Sequence, residues 1–168
     1  MVPALVFAGP HASLMRVRFL SGRIGSWRER LRYNAAQWDH QPSIVEHTAD
    51  GDRWRGFAAA KELAAVSDGI VLIPLPGHTR GHACVAVDAG DRWILHCGDA
   101  FFHHGQIDGH SRVPPLIRAF EASTALQPAK VRDNHARLRE LYGRAEPDLL
   151  LICAHDAAMY ENVRAAAV

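Results

Sequence analysis

Short apolar runs punctuate the second half of the chain. Residues 70–75 read Ile-Val-Leu-Ile-Pro-Leu with no polar break, the pattern of a strand buried on both faces. Pro76-Gly77 ends that run. Residues 83–87 and 93–97 form two further strand-length runs, with a turn at Ala89-Gly90-Asp91 between them, and Gly98-Asp99 closes the second. Residues 114–125 and 130–144 read as helices, the latter with an apolar stripe at Val131, Leu138 and Leu141. A fourth strand covers 149–153, followed by His155-Asp156 and a short alanine-rich helix. Upstream the signal is weaker: a short strand within residues 2–8, and short strands at 43–48 and 54–57 around the turn Asp50-Gly51-Asp52. Strands, then helices, then a strand and a helix predict an α/β layered fold in a single domain over residues 1–168.

Charge and composition narrow the function classes. The chain carries 19 Lys plus Arg against 18 Asp plus Glu, which gives no electrostatic footprint for nucleic acid. The local excess at residues 13–33, six arginines against Glu29, reads as a solvated helix face. No apolar run approaches the ~20 residues of a membrane span. The opening residues lack the basic region of a secretory signal, so the expected location is cytoplasmic. Cys84, Cys97 and Cys153 are an odd, widely spaced set inside apolar runs, expected as buried free thiols.

Histidine is the anomaly. There are 11, and His78, His82, His96, His103, His104 and His110 cluster in one stretch. Three polar groups stand where buried strands end: His78 after 70–75, Asp99 after 93–97 and His155 after 149–153. In α/β sheets ligands bind outside strand ends. Two imidazoles and a carboxylate are donors that suit zinc or iron. Gly77, Gly81 and Gly98 would let the backbone turn tightly beside them. Of the other histidines, His96 is expected in the core or on a sheet face, His103 and His104 follow the loop of Asp99 with substrate contact as the minor reading, and His110 and His135 are expected toward solvent. Nothing in the sequence places Tyr142 or Tyr160.

Pro74-Leu75-Pro76-Gly77-His78-Thr79-Arg80-Gly81-His82, then Leu95-His96-Cys97-Gly98-Asp99-Ala100, then Ala154-His155-Asp156 resemble, in order and spacing, the later motifs of the metallo-β-lactamase-fold hydrolase superfamily. The resemblance covers about residues 30–168, with the motifs in 69–168. It implies an αββα sandwich of two mixed sheets with helices outside. It also implies that His78 ligates a first metal, that Asp99 is the catalytic carboxylate bridging two metals, that His155 ligates a second, and that His82 braces the loop. The implied chemistry is attack by a metal-bound hydroxide on an ester, thioester or lactone-type small-molecule substrate, with one or two Zn²⁺ ions; iron and manganese accept the same donors.

The superfamily's main motif, His-x-His-x-Asp-His, is absent. Its nearest echo, Ala35-Ala36-Gln37-Trp38-Asp39-His40, keeps only the last two residues and reads as coincidence. The chain therefore resembles the C-terminal portion of such an enzyme, with part of the first sheet missing. Two readings follow: a metallo-hydrolase with an occupancy-limited site, or a non-catalytic fragment or partner-binding domain. Cys97, two residues before Asp99, is a conceivable substitute ligand. An uncovered sheet would favour self-association.

Overall fold

The computed structural model describes residues 51–166, together with strands β1 (Ala4–Phe7) and β2 (Ile44–His47). The arginine-rich 13–33 stretch and the 35–40 segment lie outside the described residues. The chain divides into two compact units, Pro3–Thr48 and Ala49–Val168, the latter with Met1–Val2. In the first, β1 and β2 pair antiparallel with Phe7 opposite Ile44.

The second unit is built on a six-stranded sheet in the order β3 (Asp52–Trp54), β4 (Phe57–Glu62), β5 (Ile70–Pro74), β6 (Ala83–Asp88), β7 (Trp93–His96) and β8 (Leu149–Ile152). Helices α1 (Pro115–Thr124), α2 (Pro128–Gly143) and α3 (Ala157–Ala166) complete it. This is the expected α/β class. The turn before β4 differs from expectation. The two-residue loop is Arg55-Gly56, with Trp54 paired to Phe57 and φ of 45° and 92°. Two positive φ values match the twist of a tight hairpin, so the segment 54–57, expected as a strand, holds the turn between β3 and β4. Arg55 then reaches across to Glu146 and, at 2.6 Å, to Asp148, tying the hairpin to the entry of β8.

Strand alternation fixes the core. Val71 and Ile73, Cys84 and Ala86, Leu95 and Leu151 are buried on one face, under Leu138 and Leu141 of α2 and Met159 of α3. All three cysteines are buried and free. Burial pushes the Cys97 thiol pKa well up, and its Sγ lies 3.7 Å from the Leu95 carbonyl oxygen. That inward packing removes Cys97 as a substitute ligand.

Strand direction positions the chemistry. β5, β6 and β7 are successively antiparallel, and β8 runs parallel to β7, with His96 opposite Ile152. The C-terminal ends of β5, β7 and β8 therefore share one sheet edge. The segments bearing His78, Asp99 and His155 leave from that edge.

Candidate metal centre

Each of the three segments is held by its own backbone bonds. The loop after β5 is closed by Leu75 N–H donating to the His82 carbonyl at 2.8 Å. It is pinned to the entry of α2 by Gln127 N–H to the Gly77 carbonyl at 2.9 Å and Leu126 N–H to the His78 carbonyl at 3.2 Å. The Asn134 amide adds a bond to the Pro76 carbonyl at 2.9 Å. The parallel pairing of β7 and β8 continues past the strands: Cys97 N–H bonds the Ile152 carbonyl and Ala154 N–H the Gly98 carbonyl. That zipper sets Asp99 beside His155.

The side chains meet at Asp99. His78 Nε2 lies 3.4 Å from one carboxylate oxygen, and His155 Nε2 lies 2.9 Å from the other. His78 is 12% exposed at its side chain and His155 52%, so one ring is sheltered and the other opens to solvent. The Phe102 ring stands edge-on to both, at 5.7 Å from His78 and 4.8 Å from His155.

His82 sits behind Asp99 rather than beside it. Its Nδ1 donates to the Leu75 carbonyl at 3.0 Å, and its Nε2 accepts the Asp99 N–H at 3.1 Å. Both nitrogens are committed, so the ring has no lone pair to offer a metal. It is half-buried rather than buried. Desolvation depresses its pKa, opposed by the Leu75 hydrogen bond and the Asp99 charge. The neutral ring is the form this bonding pattern requires. Gly98 makes the approach feasible: φ is +53°, and a Cβ there would come within 3.0 Å of His82 Nε2.

A second cluster was not anticipated. Among the described residues, the group whose metal-ligating atoms all lie within 4.8 Å of one another is His103, His104 and Asp156, not the expected trio. Several of its atoms also serve the fold. One Asp156 oxygen accepts the His104 N–H at 2.5 Å and its Nδ1 at 2.8 Å; the other accepts the Ala158 and Met159 N–H groups at the start of α3. His103 Nδ1 accepts the Gly105 N–H and caps the short 3₁₀ turn His104–Gln106. The cluster clamps that turn to α3. Adjacency of His155 and Asp156 hid this division of labour in the sequence, where both read as one element.

His110 is exposed as expected, its side chain at 81%. His135 is not: it is half-buried, 3.1 Å from Glu121 and 3.0 Å from the Ala100 carbonyl. It faces inward because α2 packs that side of the helix against the segment after Asp99. Among the described residues, no helix is long and apolar enough to cross a membrane.

No family model matches the chain. Probable metallo-hydrolases of Mycobacterium bovis and Mycobacterium tuberculosis are each 57% identical to it over 139 residues, which is 83% of this chain and 45% of theirs. Among solved structures, an N-acyl homoserine lactone hydrolase with N-hexanoyl-L-homoserine bound at its catalytic metal centre aligns with a TM-score of 0.45 and 19% identity, over 61% of this chain and 36% of that one. A variant of Bacillus thuringiensis AiiA with N-decanoyl-L-homoserine at its active site aligns with a TM-score of 0.44 and 19% identity, over the same shares. The chain is therefore similar to two probable metallo-hydrolases and spans somewhat less than half the length of these curated relatives.

Proposed function

We propose that His78, Asp99 and His155 are part of the divalent-metal centre of a hydrolase acting on an ester, thioester or lactone-type substrate, with zinc as the metal. The supporting observation is the meeting of two Nε2 atoms on opposite oxygens of one carboxylate. The donor set fits: two imidazole nitrogens and a carboxylate are what such metals take. His82 fits less well, because both its nitrogens are engaged by the Leu75 carbonyl and the Asp99 N–H; in the His103–His104–Asp156 cluster the Asp156 oxygens and one nitrogen of each ring already hold partners.

A bound divalent metal lowers the pKa of its water toward ~7 and polarises a substrate oxygen. The chain's own residues do the rest. Asp99 stands between the two imidazoles and holds both rings at the sheet edge. His82 fixes the Asp99 backbone, so the carboxylate is aimed before any ligand arrives. Phe102, 4% exposed, packs against both rings. His155, open to solvent, is the side from which a substrate carbonyl can approach.

Zinc retained by the purified chain, measured by elemental analysis and by competition with a chromophoric chelator, tests this reading. Occupancy should fall in His78→Ala and in His155→Ala, and stay unchanged in His103→Ala. Equal occupancy in all four proteins would remove the assignment and leave the non-catalytic reading standing.

A further inference from the structure

We propose that the Leu116–Ile117–Phe120 side of α1 receives the aliphatic part of the substrate whose polar end meets His155; this rests on the metal-centre reading above. α1 buries none of its residues. Leu116 is 83% exposed and Phe120 58%. Scattered exposed apolar side chains need no explanation. These two are not scattered. With Ile117, Phe102 and His155 they line one cavity of about 340 Å³. Positions 116 and 120 are one helical turn apart, so their side chains share a face.

The cavity is continuous with the candidate centre. Phe102 is 5.7 Å from Phe120 and 4.8 Å from His155, ring centre to ring centre. The ring that packs against the two imidazoles is thus also a lining ring of the cavity. His155 is the only polar residue in that lining. An apolar cleft with one polar group at its end selects an amphiphile: a carbonyl or carboxylate at the polar end and a hydrocarbon tail along α1. A second copy of the chain docking on the same face would bury the same residues, but it would have no use for an imidazole at one end.

The probe is a series of straight-chain alkanoates from four to ten carbons, titrated into the full chain by calorimetry with and without added zinc. Sedimentation is run in parallel. Affinity should rise roughly threefold to fourfold per added methylene until the cleft is filled. The rise should vanish in Phe120→Ser and persist in Phe120→Leu; Phe120 is exposed, so the fold is not at stake. Affinity independent of chain length overturns the proposal. So does a length dependence that survives Phe120→Ser, or a dimer that Phe120→Ser dissolves while alkanoates fail to bind. The two readings fail separately. Zinc lost on His78→Ala without any chain-length effect removes the cleft and keeps the metal centre. A chain-length effect with zinc uptake insensitive to His78→Ala and His155→Ala keeps the cleft and removes the centre.

Discussion

His82 accepts the backbone N–H of Asp99 at 3.1 Å, through the nitrogen opposite the one that bonds Leu75. One imidazole thereby spans the loop after β5 and the loop after β7. Replacing it with alanine leaves the Leu75 carbonyl and the Asp99 N–H without that partner. Each loss of a partly buried hydrogen bond costs roughly 1–3 kcal/mol. We expect His82→Ala to lower the urea midpoint by that order and also to weaken zinc uptake, although His82 is no ligand. Unchanged zinc affinity in a stably folded His82→Ala would show that Asp99 does not depend on it.

Gly98→Ala should act through the same contact from the other side. A φ of +53° costs a non-glycine residue roughly 1–2 kcal/mol, and the new Cβ would press on His82 Nε2. The variant should unfold at lower urea. Its His82 ring resonances should shift in an NMR spectrum. A variant with the wild-type midpoint and spectrum would contradict the geometry.

His155 and Asp156 are neighbours with opposite duties. His155 is half exposed, so His155→Ala should change stability by less than about 0.5 kcal/mol while reducing zinc occupancy. Asp156 is buried and accepts four N–H donors, two of them at the start of α3. Asp156→Ala should cost about 2 kcal/mol or more through the lost cap and the stranded donors. Chemical denaturation of the two variants decides; equal effects would dissolve the distinction.

Asp108 sets an acid limit on the loop before α1. Burial works to raise its pKa, but hydrogen bonds from the Ser111 side chain and from the Ser111 and His110 N–H groups outweigh it, with the His110 charge adding to them, and hold it at about 2. A carboxylate depressed in the folded state binds protons more readily when unfolded. Its contribution is therefore complete above about pH 4 and is lost as pH falls toward about 2. Asp108→Asn should be less stable than wild type at neutral pH and should converge with it near pH 2. Parallel curves across that range would refute the assignment.

This chain alone should turn over generic esters, thioesters and lactones at background rates, with at most substoichiometric zinc. His78, Asp99 and His155 are three donors, whereas the resemblance spreads them over two metals that share Asp99, two donors to each. A hydrolytic metal is normally held by about three protein groups. Stoichiometric metal with hydrolysis lost in His78→Ala would show the centre to be sufficient.

The sequence by itself determined β5 to β8 and where they stop, and missed β3 and β4. Uninterrupted apolar runs such as 70–75 can only be satisfied by burial, and Pro76, with no N–H, cannot extend a ladder. It also marked His78, Asp99 and His155, because polar groups at the ends of buried strands stand out against their neighbours. Strand direction was beyond it. Only the parallel β7–β8 pair and the antiparallel β5–β6–β7 run place three distant strand ends on one edge. Tertiary contact alone separated His155 from Asp156 and turned His135 inward to Glu121 and the Ala100 carbonyl. The physical reason is range. Burial and turn preference act between neighbours along the chain. A hydrogen bond such as His104 to Asp156 joins residues 52 apart, and its existence depends on how the sheet has brought them together.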